Sequence, residues 1–205
     1  IQENVLSTLR DVAYTYSVEL AIEKGTFPAY KDEYNDSEFI KTLPIDIRNS
    51  ISKHGIRNSH LLSIAPCGTI SLTADNVSSG IEPVYALNVN RVIKTEAGDE
   101  IIEVPDYGYA QWGVEGKTSE DVTVDEHLNV LATAQKYVDS AVSKTCNVGS
   151  DVGWEDFKNL YVKAWEMGCK GITTFRADGK RFGILNSQDN LVCTIDPETG
   201  DKSCD

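Results

Sequence analysis

The chain has 205 residues, 40% of them hydrophobic, which is long enough for one ordinary domain with a sizeable core. Its 19 basic and 32 acidic residues give a formal net charge of −13, so we exclude duplex nucleic acid, which binds basic surfaces, as a partner. No segment has the roughly 20 apolar residues of a membrane helix and no signal peptide is recognisable, so we expect a cytoplasmic protein without a membrane partner.

The first 65 residues predict two helices and a strand. The first helix ends at Gly25, and residues spaced by three and four form its predicted buried face: Leu6, Leu9, Ala13, Tyr16 and Leu20. Residues 26–35 predict a loop, and a second helix is expected over about 45–53. The short apolar run at 61–64 predicts a buried strand.

The remainder predicts strands within residues 84–104, with a turn at 97–99, followed by an acidic loop. A helix is expected over about 125–144. Another begins near Ser150 or Asp151 and ends at Gly168. Its predicted inward face consists of Phe157, Leu160, Tyr161 and Ala164. A strand is expected over 172–175, and the chain turns polar from Gly183.

The loop after the predicted strand is the first candidate for chemistry. It comprises Ala65, Pro66, Cys67, Gly68, Thr69, Ile70 and Ser71. A turn of small residues can direct several backbone N–H groups at one anion, and the hydroxyls of Thr69 and Ser71 would add donors. The pattern is neither a Walker loop nor a dinucleotide fingerprint. On spacing alone, an anion site and a purely structural turn both stay open.

Four other features bear on the chemistry. Glu82, in the polar loop at 76–83, is either an acceptor for a substrate hydroxyl or a structural cap. The histidines lack the spacing of zinc ligands, so we predict no metal site. Five cysteines are an odd number, which favours reduced thiols. Cys193 and Cys204 lie in the polar tail, where they are either a redox pair or two unrelated thiols.

Three blocks of sequence carry a family resemblance. They run from His54 to Leu87, from His127 to Val148 and from Ala164 to Arg176. In this order they resemble segments of adenosylcobalamin-dependent ribonucleotide reductases, the first block almost residue by residue. The resemblance implies an α/β fold: the C-terminal half of a ten-stranded α/β barrel over residues 1–182, followed by a flexible C-terminal tail over 183–205.

The resemblance also implies roles for the two loops. The loop at 65–71 would hold the phosphates of a ribonucleoside di- or triphosphate, and Glu82 would lie in the substrate pocket. Cys67 stands where the family usually has threonine, which removes one hydroxyl donor. The family's reaction replaces the ribose 2′-hydroxyl by hydrogen and starts from a thiyl radical in an Asn-x-Cys-x-Glu loop. These 205 residues lack that motif and begin at Ile1, so we expect a partial reductase that needs an N-terminal portion.

The implied cofactor is adenosylcobalamin. Di-iron-dependent relatives carry adjacent tyrosines in the segment that matches 171–175, where this chain has Thr173 and Thr174. The N-terminal portion is expected to hold most of the cofactor. Cys193 and Cys204 would be the redox shuttle pair that thioredoxin or glutaredoxin re-reduces, although the family's pair is more closely spaced. A non-catalytic nucleotide-binding or assembly module built on the same barrel stays open as an alternative.

Overall fold

The computed structural model of the protein describes residues 1–95, 98–149, 152–176, 185–187, 193–195 and 202–204. The α-helices are α1 (Gln2–Lys24), α2 (Glu38–Lys41), α3 (Ile45–His54), α4 (Tyr107–Trp112), α5 (Val124–Gln135) and α6 (Trp154–Glu166). The strands are β1 (Asn88–Thr95), β2 (Gly98–Pro105), β3 (Thr145–Asn147), β4 (Thr173–Phe175), β5 (Leu185–Ser187), β6 (Cys193–Ile195) and β7 (Lys202–Cys204). Short 3-10 helices span Asp32–Asp36 and Ile70–Ala74. Among the residues that the structure describes, no helix is long and apolar enough to cross a membrane.

The chain divides into two compact units, of which the first comprises residues 1–65, 128–143 and 158–172. α1 and α3 confirm the first two predicted helices, and Gly25, at a φ of 79°, ends α1 as expected. Part of the loop predicted at 26–35 is the first 3-10 helix. The main apolar cluster of this unit consists of Tyr14, Val18, Ile40, Leu43, Ile47, Ile51 and Ile56.

The predicted buried face of α1 was wrong. Leu9 and Tyr16 are 50% and 59% exposed. The buried face instead consists of Arg10, Tyr14, Ser17, Val18 and Ala21. Polar side chains are tolerated on this face because they have partners there; the Ser17 hydroxyl, for example, donates to Asn58 Oδ1 at 3.1 Å. A pattern based on hydrophobicity alone does not detect such a face.

The helix predicted over 125–144 is shorter, because α5 ends at Gln135. The Gln135 side chain donates to the carbonyl oxygens of Val138, at 3.0 Å, and Ser140, at 2.9 Å. These two bonds close a turn immediately after the helix. Val138 and Val142 are buried as expected, although neither is helical.

The strand predicted to end at Ile64 is an extended segment joined to its neighbour by one parallel bridge, between Ile64 and Val142. The backbone N–H groups of Leu61 and Leu62 donate to the Asp139 carboxylate, at 2.7 and 3.0 Å. Three backbone hydrogen bonds accompany the bridge: Ser140 N donates to the Leu62 carbonyl at 3.0 Å, Ile64 N donates to the Ala141 carbonyl at 3.1 Å, and Ser143 N donates to the Ile64 carbonyl at 2.8 Å. The Asp139 carboxylate thus satisfies the N–H groups at the start of a short parallel pairing.

The second unit comprises residues 66–127, 144–157 and 173–205. β1 and β2 confirm the predicted hairpin: they pair antiparallel from Asn88 opposite Pro105 to Thr95 opposite Gly98, and β5 pairs with the other edge of β1. The predicted turn at 97–99 lies partly outside the described residues. The acidic segment was predicted as loop but contains α4, which the Asp106 side chain caps by accepting from Tyr109 N at 3.0 Å.

β3 and β4 are parallel neighbours joined in sequence through α6, with Cys146 opposite Thr174. β4 confirms the predicted strand, and Gly168, at a φ of 82°, follows α6 as expected. The predicted start of α6 at residues 150–151 lies outside the described residues. Its buried residues are Leu160 and Ala164, whereas Tyr161, predicted to face inward, is 41% exposed. The domain boundary predicted at 182/183 and most of the predicted flexible tail also lie outside the described residues.

Candidate functional site

A cavity of about 170 Å³ in the second unit brings the two polar loops together. The loop at 65–71 contributes Gly68, and the loop at 76–83 contributes Glu82. Other walls come from Asn76, Val77, Ser78, Ser79, Pro83, Val84, Tyr85, Ala86, Val89, Val104 and Asp106. Two of the predicted site residues, Gly68 and Glu82, therefore line one concave site.

The loop at 65–71 is shaped by hydrogen bonds of Ser71. Its N–H donates to the Cys67 carbonyl at 2.9 Å, and its buried hydroxyl donates to the Gly68 carbonyl at the same distance. Asn76 N in turn donates to the Ser71 carbonyl at 2.8 Å. The expected role of the Ser71 hydroxyl as an anion donor therefore changes, because this hydroxyl closes the turn.

Three consecutive backbone N–H groups lie inside that turn. Within the part of the chain that the structure describes, the N–H groups of Gly68, Thr69 and Ile70 have no hydrogen-bond acceptor. All three residues are exposed, as are Ala65 and Pro66, whereas Cys67 is half-buried. Unused backbone donors at the start of a helical turn favour an anion, so the local geometry fits the anion-loop hypothesis better than a purely structural turn.

Glu82 anchors the second loop to the start of β3. Its Oε2 accepts from Lys144 Nζ at 3.0 Å, and its Oε1 accepts from Thr145 N at 2.6 Å. The Lys144 side chain is 2% exposed and that of Glu82 is 22% exposed. The structural interpretation of Glu82 is thus supported, although the residue also lines the cavity. Sequence reasoning missed Lys144, which is 62 positions from its partner.

Two further residues support the cavity from the side of the β1–β2 hairpin. Asn76 Nδ2 donates to the Pro105 carbonyl at 3.2 Å, and the neighbouring Asp106 carboxylate caps α4.

Burial raises the pKa of the Tyr85 hydroxyl, and the charge of Glu120 raises it further, so Tyr85 is a neutral donor near pH 7.

His127 is buried next to the Glu82–Lys144 pair. Neither ring nitrogen has a hydrogen-bond partner among the described residues. Burial lowers the pKa of His127, and the positive charge of Lys144 lowers it further against the opposing effect of Glu82 and Glu126. The imidazole is therefore neutral near pH 7.

We expect this neutral histidine to make the fold sensitive to acid. Unfolded histidine has a pKa of about 6.5, so below that pH the unfolded chain binds the proton more readily than the folded one. The stabilising contribution is complete above about pH 6.5 and is lost as the pH falls toward the folded pKa. The free energy of unfolding, measured with urea at several pH values, should depend less on pH in His127→Phe. If the free energy of unfolding changed equally with pH in the variant and in the unsubstituted chain, this prediction would be contradicted.

The tail cysteines occupy paired backbone positions. β6 and β7 form an antiparallel pair in which Cys193 lies directly opposite Cys204. Cys67, Cys146 and Cys169 form no disulfide among the residues described. Burial raises the pKa of the Cys146 thiol to about 11 and also raises that of Cys169, so neither is a reactive thiolate near pH 7.

A second cavity of about 390 Å³ lies at the carboxyl ends of β3 and β4. Its lining residues are Val148, Val152, Gly153, Trp154, Phe157, Thr174, Phe175 and Arg176. Sequence reasoning did not identify this site. Across the described ranges, no group of three or more His, Cys, Asp or Glu side chains is placed to hold a metal ion.

Comparison with known proteins identifies the family. The family model described as "Ribonucleotide reductase, barrel domain" matches residues 1–175. The chain belongs to the ribonucleotide reductase barrel-domain family. Within this family it resembles the vitamin B12-dependent ribonucleoside-diphosphate reductases of Mycobacterium tuberculosis strain CDC 1551, at 30% identity over 89% of this chain, and Thermoplasma acidophilum, at 32% over 91%. The match confirms the resemblance found in the sequence.

The ribonucleotide reductase fold is also supported by a solved structure. The class Id ribonucleotide reductase alpha subunit of Actinobacillus ureae superposes with a TM-score of 0.58 at 18% identity, over 87% of this chain and 34% of that subunit. The present chain spans 28% of the length of the M. tuberculosis relative and 26% of the T. acidophilum relative. The described residues are α/β, as predicted.

Proposed function

We propose that this chain is the C-terminal part of a ribonucleotide reductase that converts ribonucleotides to deoxyribonucleotides by thiyl-radical chemistry. In this proposal the loop at 65–71 binds the phosphates of a ribonucleoside di- or triphosphate. The observation that carries the assignment is the row of N–H groups at Gly68, Thr69 and Ile70, which have no acceptor among the described residues. Such a row suits a phosphate, because each N–H can donate to a different oxygen.

The proposal requires a second part of the enzyme. We infer that residues 1–182 form the C-terminal half of a ten-stranded α/β barrel and that an N-terminal portion supplies the Asn-x-Cys-x-Glu loop, which these 205 residues lack. That cysteine would remove hydrogen from the ribose, while this chain holds the phosphates. The division explains how one chain positions the substrate without starting the reaction itself.

Adenosylcobalamin is the cofactor we propose for the assembled enzyme, because relatives are named vitamin B12-dependent. A corrin ring is larger than the drug-sized ligands that occupy pockets of roughly 300–1,000 Å³. The cavities of about 170 and 390 Å³ do not fit it. We therefore assign no residue of this chain to the corrin ring and propose that the N-terminal portion holds the cofactor.

Cys193 and Cys204 are our proposed redox shuttle pair. Their backbone positions are directly opposite in the β6–β7 pairing, which supports a pair despite their separation in sequence. They would reduce an active-site disulfide by thiol–disulfide exchange, and a thioredoxin or glutaredoxin would then reduce them.

The phosphate loop can be tested with Gly68→Ala. A Cβ added at Gly68 meets no atom within 4 Å, and the residue does not have a positive φ, so the variant should fold normally. The methyl group would nevertheless obstruct a phosphate approaching the loop amides. We expect KM for the ribonucleotide to rise at least about tenfold, a loss near 1.4 kcal/mol. The assay combines the chain with the matching N-terminal portion, adenosylcobalamin and a dithiol, and measures deoxynucleotide formation.

Gly116→Ala is the matched control. A methyl group added at Gly116 likewise meets no heavy atom within 4 Å, and this residue lies in the acidic segment, outside the cavity lining. The KM of this variant should equal that of the unsubstituted chain. Equal KM values for both alanine variants would refute phosphate binding by the loop. A stable complex with the N-terminal portion that forms no product would favour the non-catalytic module.

A further inference from the structure

Two residues with left-handed backbone follow the 3-10 helix Ile70–Ala74. Asp75 has a φ of 54° and Asn76 has a φ of 55°, although neither is glycine. Aspartate and asparagine adopt this conformation more readily than other side chains, and it persists only where the surrounding contacts determine it. The backbone N–H of Asn76 donates to the Ser71 carbonyl at 2.8 Å. This bond joins the left-handed pair to the loop at 65–71.

The Asn76 side chain connects this loop to the end of β2. Its Nδ2 donates to the Pro105 carbonyl at 3.2 Å, and its Oδ1 lies 3.3 Å from the Ser71 hydroxyl. A carbonyl oxygen can only accept, which fixes the amide with Nδ2 toward Pro105 and Oδ1 toward Ser71. Both ends of the amide therefore contact the protein itself, which suits a residue that shapes the loop rather than one that binds the substrate.

The Ser71 hydroxyl connects Asn76 to the row of backbone donors. It lies 2.9 Å from the Gly68 carbonyl and 3.3 Å from Asn76 Oδ1, and it shares its one hydrogen between these two acceptors. Because Ser71 is buried, water competes little for either acceptor. A peptide group is planar, so fixing the Gly68 carbonyl also fixes the direction of the Thr69 N–H, the middle donor of the row.

We propose that Asn76 is a positioning residue for the substrate phosphates. Through Ser71 it sets the direction of the backbone donors in the loop at 65–71, and it does not touch the phosphates itself. The inference rests on the proposed function of this loop. It makes the geometry of the loop depend on a contact outside it, with Pro105 at the end of β2.

The test replaces Asn76 with glycine in the assay described for Gly68→Ala. Asn76→Gly keeps the left-handed backbone, which glycine adopts readily, and removes both side-chain contacts. We expect KM for the ribonucleotide to rise roughly threefold to tenfold, a loss of about 0.7–1.4 kcal/mol. The kcat should change little, because the phosphates are bound equally before and during the reaction at the ribose.

Asp75→Gly is the matched control. Asp75 has the same left-handed backbone, is exposed and lies outside the cavity lining, so this variant should keep the KM of the unsubstituted chain. Urea denaturation of each variant measures any loss of stability separately from KM. An unchanged KM in Asn76→Gly, with only a lower free energy of unfolding, would show a purely structural role and would overturn the inference.

A double variant tests whether Asn76 acts through Ser71. Ser71→Ala removes the same connection one step closer to the loop amides, so it should raise KM by a similar factor. Combining it with Asn76→Gly should raise KM no further than the larger of the two single effects. If the two effects multiplied instead, Asn76 would act on the substrate independently of Ser71, and the inference would be overturned.

Gly68→Ala separates a failure of this inference from a failure of the proposed function. If Gly68→Ala raises KM and Asn76→Gly does not, the loop binds phosphates and Asn76 does not position it. If neither substitution raises KM, phosphate binding by the loop is refuted, and the positioning role of Asn76 is refuted with it.

Discussion

Replacing Asp139 with alanine should lower the free energy of unfolding of the first unit by about 3–5 kcal/mol. The Asp139 carboxylate is buried and accepts from Tyr14 Oη, at 2.7 Å, and from the N–H groups of Leu61 and Leu62, at 2.7 and 3.0 Å. Alanine would leave all three donors without this acceptor. Each unsatisfied buried donor costs about 1–3 kcal/mol, so the loss of a shared acceptor is severe.

Urea denaturation of the full chain measures this loss. Asp46→Ala is the matched control, because Asp46 is an exposed aspartate in the first turn of α3, and it should cost no more than about 1 kcal/mol. Tyr14→Phe should cost roughly 1.5–3 kcal/mol, because it removes one bond to the charged group. A loss for Asp139→Ala no larger than that of the control would show that the three hydrogen bonds contribute little.

The Tyr14 hydroxyl stays protonated in this arrangement. Burial raises the pKa of Tyr14, and the hydrogen bond to Asp139 and its negative charge raise it further. The pKa of Tyr34 is raised to about 12, mainly by burial. Tyr14 therefore remains a donor to Asp139 across the neutral pH range, and the bond contributes a constant amount near neutrality.

The sequence predicted the elements with strong local signals. α1, α3 and the β1–β2 hairpin formed where periodicity and turn residues indicated them, and Gly25 and Gly168 end helices as expected. Each signal lies within one short window, so local propensity and pattern suffice. The loop at 65–71 was also found locally, from its small residues and its resemblance to the reductase family.

The errors arose where a distant polar partner determines the structure. The Asp139 carboxylate accepts from the N–H groups of Leu61 and Leu62 ahead of the single bridge at Ile64, and the Gln135 side chain donates to carbonyl groups beyond the end of α5. The buried face of α1 is defined by partners such as Asn58 rather than by apolar spacing. No windowed pattern contains these pairings, because they depend on how the chain folds back on itself.

The candidate site was likewise predicted only where its residues have a local sequence signal. Gly68 and Glu82 were identified from their own loops, and the structure places both at one cavity. Lys144, which is the partner of Glu82, has no local signal, because its sequence neighbours do not set it apart from other lysines and only its burial does. The second cavity was missed because its walls combine residues after β3 and in the first turn of α6 with residues at the end of β4, which lies beyond α6 in the sequence.

Glu82→Ala should destabilise the second unit by about 3–5 kcal/mol, because it leaves the Lys144 ammonium buried without its counter-charge. The remaining acceptor of Lys144 Nζ among the described residues is the Thr145 carbonyl, at 3.3 Å, and Thr145 N would lose its 2.6 Å bond to the same carboxylate. Glu82→Gln keeps the shape and one acceptor, so it should cost less. Urea denaturation of the full chain measures both losses.

Glu19→Ala provides the control for this substitution, because Glu19 is an exposed glutamate of α1 and should change stability by no more than about 0.5 kcal/mol. Adding Lys144→Met to Glu82→Ala removes the buried ammonium that has lost its counter-charge. The double variant should therefore recover part of the lost free energy of unfolding. If the losses in the free energy of unfolding from the two substitutions were instead additive, the ion pair would contribute nothing beyond packing. Recovery would establish that the cavity wall formed by Glu82 is held in place by charge pairing with Lys144 at the start of β3. The shape of the proposed substrate site would then depend on a contact that spans 62 positions of sequence.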